Sequence, residues 1–147
     1  MATFTVKASM TGIKSVKSLS TKIKKANKKT ILGFAKWHQQ DTRRRISITK
    51  TDPHGRHWAP WTFSTSRERH RRGTAGGGLL FESGALWRSI KYNIRGNKME
   101  FGSTEEYAQY LQDGRNSPTF MRPRQIVNLN TRRSKIVYRK LFKRNMR

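Results

Sequence analysis

Residues 79–114 read LLFESGALWRSIKYNIRGNKMEFGSTEEYAQYLQDG, and this stretch decides the fold. Leu79-Leu80 opens it, and Ser83-Gly84 leads into Ala85, Leu86 and Trp87, with Ser89-Ile90 behind. Leu86 and Ile90 are four residues apart, the spacing of one face of a short amphipathic turn of helix. Lys91–Arg95 and Lys98–Gly102 alternate as strands, and the Gly96-Asn97 pair between them is a two-residue hairpin signal, because both residues tolerate positive φ. Thr104 is the expected cap of a following helix, with Glu105 and Glu106 in its first turn. Tyr107, Ala108, Tyr110 and Leu111 continue that helix and Gly114 stops it. Helix, hairpin, helix is a scaffold without an evident catalytic group.

Working outward, Ala2–Lys7 alternates Phe4 and Val6 against Thr3, Thr5 and Lys7, the pattern of a short strand. A long helix is expected over residues 11–47. Ile13, Val16, Leu19, Ile23, Ala26, Ile31, Phe34 and Trp37 recur every three or four residues on one side of it. Lys14, Lys17, Lys24, Lys25, Lys28, Lys29 and Lys36 take the other side. The first 40 residues hold nine Lys, no Arg and no acid. A solvated helix face explains such lysines in part, but surface helices ordinarily mix signs to gain i,i+4 pairs, and a single-sign face forgoes them. That favours a face meeting a polyanion, with Lys screening phosphate loosely instead of gripping it in a bidentate fork. Arg43-Arg44-Arg45 closes the helix, where cations suit its dipole.

Residues 49–78 form the least regular region, a loop and basic arm. Asp52-Pro53 and His54-Gly55 are turn dipeptides. Trp58 and Trp61 flank Ala59-Pro60, either anchoring the loop on the core or meeting a neighbour. Arg67, Arg69, Arg71 and Arg72 make the arm strongly basic, and Thr74–Gly78 reads as flexible. Beyond the central unit lies a second loop, SPTFMRPR (residues 117–124), carrying Phe120, Arg122 and Arg124. Ile126, Val127 and Leu129 suggest a short strand or a helix start. Thr131 then opens a final helix with Ile136, Val137, Leu141 and Phe142 apolar and Arg132, Arg133, Lys140 and Arg144 among its cations. No acid follows Asp113.

The composition fits one domain over residues 1–147 that can bury a core. Its 33 Lys and Arg against 8 Asp and Glu give a net charge of +25, and only 33% of residues are apolar. Periodic apolar positions with four Trp and seven Phe argue for order despite that charge. The self-repulsion should be relieved beside nucleic acid or an acidic protein surface. The absence of cysteine excludes disulfides and thiolate metal sites. No apolar run has the length of a membrane span, and MATFTVKASM lacks a signal-peptide core, so a soluble protein made in a cytoplasm is expected.

Chemistry is hard to assemble from these residues. His54 and His57 are three apart, but Arg56 lies between them and no acid or Cys stands at ligand spacing. Glu105-Glu106 is the only adjacent acid pair, and its place at a helix start explains it. Gly76-Gly77-Gly78 lacks the Lys-Ser/Thr of a phosphate loop, and Ser83-Gly84 is no nucleophile elbow. No catalytic residue, metal ligand or cofactor is expected.

The order of motifs resembles the virion morphogenesis, or tail completion, proteins of tailed bacteriophages. The residues that carry the resemblance are a long N-terminal helix, then Asp52, Gly55, Trp58, Pro60 and Thr65, then Leu80, Ser83-Gly84, Leu86 and Ser89-Ile90. The hairpin end Phe101-Gly102-Ser103 follows, then Tyr107-Ala108 with Gln112-Asp113-Gly114, and Arg122-Pro123; together they span residues 10–145. Thr119-Phe120-Met121 before Arg-Pro and Arg124-Gln125-Ile126 after it depart from the family's usual apolar-Pro-small and aromatic-Leu-Gly.

The fold expected is α+β, a long N-terminal amphipathic helix on a small, mostly antiparallel sheet with shorter flanking helices. The resemblance implies a non-enzymatic structural protein of the phage neck. It would form a ring, expected to be hexameric, that joins head to tail and continues the DNA channel. Its partners would be adaptor or stopper proteins and a tail terminator or tail tube, with genomic DNA in the channel and no membrane. It would be made in the host cytoplasm and end in the virion. Lys14, Lys17, Lys24, Lys25, Lys28, Arg132, Arg133, Lys140 and Arg144 are the expected polyanion-facing residues. Trp58, Trp61, Arg67, Arg69, Arg71, Arg72, Phe120, Arg122 and Arg124 are the expected subunit or partner contacts. A different class, a sequence-independent basic nucleic-acid-binding protein of ribosomal or packaging type, is equally consistent with charge alone.

Overall fold

The backbone of the chain is organised on one helix, α1, Thr11–Arg44. The computed structural model describes residues 11–80, 82–114 and 124–147, with side chains from Val16 onward. The expected strand over residues 2–7 lies outside these. The helix ends in one π-helical turn, Arg45–Thr49, closed by the Lys50 N–H donating to the Arg45 carbonyl five residues back (2.8 Å). Lys50 takes a left-handed φ of 53° there. Its ammonium donates to the carbonyls of Ile46 (2.5 Å) and Leu79 (2.9 Å), pinning the helix end to the start of the central unit.

The central unit follows the sequence closely. Gly84, at φ 74°, turns the chain into the single helical turn α3, Ala85–Ser89. The left-handed conformation there is open to Gly at little cost. Strands β1 (Ile90–Arg95) and β2 (Lys98–Ser103) pair antiparallel, with Arg95 opposite Lys98 and Ile90 opposite Ser103. Gly96 has φ 59° and Asn97 does not share it, the pattern of a II′ connection. Ser89 donates to the Leu86 carbonyl (2.8 Å) and meets Ser103 Oγ at 2.6 Å, so this small buried residue fastens α3 to the far end of the hairpin. The next helix, α4, is shorter than expected, Tyr107–Asp113. Thr104 does not cap it: Ser103 Oγ accepts the Glu105 N–H (3.1 Å), which holds Glu105 and Glu106 in a turn ahead of the helix.

The architecture is α+β, as expected. Among the described residues the sheet is this one hairpin, with an isolated bridge between Thr51 and His57. Ile46, Trp58, Leu86, Ile90, Leu111 and Ile126 form the buried core, flanked by Leu79, Leu80, Trp87, Phe101, Ala108 and Val127. The core thus gathers at the C-terminal end of α1. Gln39 and Arg43 donate to the Ile90 carbonyl (2.7 and 3.2 Å), and Arg43 also lies over the Trp87 ring at 4.6 Å.

The final helix, α5 (Thr131–Met146), is capped by Asn130, whose side chain accepts the Arg133 N–H (3.0 Å). It packs antiparallel along α1: Arg133 lies beside Trp37 and Asp41, Tyr138 meets Phe34, Leu141 lies over Gly33, and Asn145 donates to Thr30 Oγ1 (3.0 Å). Asn27 marks where this seam ends. It accepts from Tyr138 Oη (2.5 Å) and donates to Asn97 at the hairpin tip (3.3 Å). Beyond it, every side chain from Val16 to Lys25 is exposed, and burial begins at Ala26. Among the described residues the apolar stripe is therefore buried only from Ala26 onward.

The expected loop and arm over residues 49–78 is more ordered than its sequence suggests. Asp52 organises the first turn: its Oδ1 accepts the N–H of His54 and of Arg56 (2.8 and 2.9 Å), and its Oδ2 accepts Arg56 Nε (2.8 Å). A helix, α2, then runs Phe63–Arg71, capped by Thr62. It buries no residue, which is why hydrophobic periodicity does not reveal it. Caps and ion pairs hold it instead. Ala75–Gly77 form a single 3-10 turn. Residues 124–130 form neither strand nor helix. The N–H groups of Ile126 and Val127 are taken up by Gln112 Oε1 (2.8 and 3.2 Å).

Candidate basic interface

The two basic faces read separately from the sequence belong to one layer. Because α5 runs antiparallel on α1, its C-terminal cations come alongside the middle of α1. Lys24, Lys25, Lys28 and Lys29 on α1 are exposed, as are Lys140, Lys143, Arg144 and Arg147 on α5. The Asn145–Thr30 bond places these two groups at the same end of the layer. Lys17 continues the charge along the free part of α1. Among the described residues no lysine of α1 pairs with a carboxylate. The Lys14 side chain lies outside the described residues.

The other end of the layer is chemically different. Arg132 is exposed, but Arg133 is committed to the fold: its guanidinium donates to Asp41 (2.9 Å) and sits 5.3 Å from the Trp37 ring centre. Asp41 also accepts from Arg45 Nε (3.1 Å), which donates further to Thr42 Oγ1 (2.9 Å). Burial lowers the pKa of Arg45, and the Asp41 carboxylate works against that. One turn earlier His38 is 2% exposed, with its ring centre 4.0 Å from that of Phe101. Burial and then the Arg45 charge push its pKa down to about 4, against a smaller opposing bond to the Val127 backbone. Of the expected polyanion-facing set, Arg133 also makes a structural contact: Asp41 and Trp37 hold it against α1 while its side chain stays half-exposed.

The expected contact residues divide in the same way. Trp58 is a core residue at 7% exposure and anchors its loop on the central unit. Trp61 and Arg69 hold each other, with the guanidinium 4.5 Å from the ring centre. Arg69 also reaches Glu82 (2.5 Å) and the Gly78 carbonyl (3.3 Å), bracing α2 against the central unit. Arg124 donates to the Ala59 carbonyl (3.2 Å), and burial lowers its pKa. Arg71 and Arg72 both clasp Glu68 (2.7 and 2.6 Å), and their hydrogen bonds hold the Glu68 carboxyl down to about 2. Arg67 is exposed on α2, while Phe120 and Arg122 lie outside the described residues. Long cations bury their stems wherever a neighbour offers apolar surface, so a run of arginines read in sequence mixes solvent-facing and structural members.

Two surfaces were not singled out by sequence reasoning. One is the exposed apolar stripe Val16, Leu19 and Ile23, at 66%, 52% and 42% exposure. The other is an open cleft of about 370 Å³ rimmed by Glu105 and Glu106. The crowding of Glu100, Glu105, Glu106 and Asp113, half of the chain's acids, into fourteen residues was the available signal for the second.

For chemistry the described residues offer little. They contain no group of three or more His, Cys, Asp or Glu side chains placed to hold a metal. His54 and His57 are exposed, and the nearby Asp52 carboxylate is occupied by its own loop. Among the described residues no helix is long and apolar enough to cross a membrane. A model of the phage virion morphogenesis family matches residues 13–143 of the chain. No curated protein and no solved structure matches it.

Proposed function

Because the chain belongs to the phage virion morphogenesis family, a structural and assembly family, we propose that it is a neck protein that joins head to tail. It acts by assembly and not by catalysis. Copies form a ring, with six as the expected number. The ring docks between an adaptor or stopper on the head side and a tail terminator or tail tube below, and it continues the channel through which DNA leaves.

The observation that carries this reading is the merged α1–α5 basic layer, whose exposed lysines on α1 have no carboxylate partners among the described residues. A ring multiplies the monomer charge of +25 about six-fold, which creates a field strongly attractive to a polyanion. Lysine suits DNA that must move, because its ammonium is a compact point charge that does not lock phosphate in a fixed fork. Lys25, Lys28, Lys140 and Arg144 are the residues assigned to DNA or to an acidic partner ring.

The test is electron microscopy of particles made without this protein. Full heads beside unattached tails are expected. Normally tailed particles, or heads that never fill, would overturn the reading. The same basic layer also favours a sequence-independent nucleic-acid-binding protein. Mass measurement of the nucleic-acid-free protein separates the two: rings, or co-assembly with neck proteins, support the first. A persistent monomer whose DNA binding falls steeply with salt supports the second.

A further inference from the structure

The N-terminal part of α1 packs against no other element among the described residues. Val16, Leu19, Ile23 and Ala26 follow one helical stripe, at i, i+3, i+7 and i+10. Ala26 is buried at 1%, whereas the three preceding members are exposed. Lys17 and Lys24 flank the stripe, and no acid occurs before Asp41. A complementary surface exists elsewhere on the molecule. The cleft beside α4 has Glu105 and Glu106 on its rim, Gln109 and Gln112 on its wall, and Ala108 and Val127 packed against the core. Neither glutamate forms an ion pair among the described residues, in a chain where Asp41, Asp52, Glu68 and Glu82 all do. An acid-rimmed cleft with Ala108 and Val127 in a mainly polar lining thus complements, chiefly in charge, an apolar stripe edged with lysine.

The two cannot meet within one chain. Ser103, at one side of the cleft, pairs with Ile90, whose carbonyl is bound by Gln39 and Arg43, so the cleft lies alongside the C-terminal part of α1. The stripe centres near residue 20 of the same continuous helix. Twenty residues of helix separate them by ~30 Å, and the free segment leads away from the cleft.

Resting on the ring reading above, we propose that residues 16–25 of one copy dock in the Glu105–Glu106 cleft of the next. Leu19 and Ile23 enter the cleft, and Lys17 and Lys24 meet the two glutamates. The contact uses different surfaces on the two copies, so it repeats head to tail and closes as a ring when the rotation per step divides a full turn.

The absence of cysteine makes the contact directly testable. In L19C/Q109C, mild oxidation should give a ladder of multimers on a non-reducing gel, ending at the closed ring. Cross-linking of L19C alone into dimers would instead mean that two free segments pair with each other, and would overturn the proposal, as would no cross-link in the double variant. Charge reversal gives an independent measure. K17E/K24E and E105K/E106K should each weaken association about tenfold or more by sedimentation, while the chain carrying all four changes should recover it. Failure of that recovery overturns the contact. A wild-type chain that stays monomeric also overturns it, without deciding the head–tail role, which rests on the particle micrographs.

Discussion

Arg133 of α5 and Asp41 of α1 lie 2.9 Å apart, and the second oxygen of the same carboxylate holds Arg45 at 3.1 Å. One acid thus serves both the helix pairing and a buried cation at the end of α1. Asp41→Asn should be far more damaging than loss of an exposed ion pair would suggest. It leaves Arg45 buried without its paired carboxylate, with only the more distant Asp52 charge beside it, a situation that costs up to about 3–5 kcal/mol. The loss should be seen as a lower urea midpoint at unchanged slope. Arg133→Ala, at a half-exposed position, should cost only about 1 kcal/mol.

His38 makes stability depend on pH. Its ring ionises near 6.5 when unfolded but only at about 4 in the fold, so between these values the unfolded chain binds the extra proton. The stabilisation from keeping the ring neutral is complete above about pH 6.5 and is lost as the pH falls toward 4. It amounts to about 3 kcal/mol. Urea titrations across this window should show stability falling with acidity, and His38→Gln should flatten that slope. An unchanged slope would show that His38 is not its source.

The two tryptophans of the 58–61 segment should behave oppositely. Trp58→Ala empties a core position and should cost about 3–5 kcal/mol. Trp61→Ala removes a half-buried ring and its contact with Arg69, a loss of about 1–2 kcal/mol. Thermal unfolding of the two variants distinguishes the core tryptophan from the bracing one.

The lysines of α1 should act on binding and not on folding. Each of Lys25→Gln and Lys28→Gln should leave the unfolding midpoint nearly unchanged. If the residue meets phosphate, the change should lower the slope of log K against log salt by about 0.9 for duplex DNA, measured by fluorescence anisotropy. An unaltered slope would assign that lysine to solvent.

The legible parts of this molecule are those in which local pattern and tertiary role agree. The hairpin announces itself through period-two alternation and Gly96-Asn97, and α1 through a sustained helical stripe. The helix α2 was hidden because it has no buried face. Its signals are Thr62 as a cap and Glu68 set three and four residues before Arg71 and Arg72. Arg43, Arg45, Arg69 and Arg124 look in sequence like the other cations. Each is turned inward by a group distant in the chain or by one carboxylate, and composition cannot register such a partner. The same holds for Trp58 against Trp61. The sequence shows two similar rings, and only the packing of Ile46, Leu86 and Leu111 selects which is enclosed. Even the stripe on α1 misleads in one respect: its spacing gives no sign that, among the described residues, burial begins only at Ala26.

That boundary has a mechanical consequence. A helix gripped along one part and bare along the other is a lever, and Asn27 is its fulcrum. A load applied at Val16 acts through an arm of ~16 Å and becomes torque at the bonds from Asn27 to Tyr138 and Asn97. Those two polar links, with buried Ala26 and Thr30 beside them, lie apart from the hydrophobic cluster at the other end of α1 and are expected to take the load before it does. A strained assembly would therefore loosen at the hairpin tip and the end of α5 while each subunit's core remained intact.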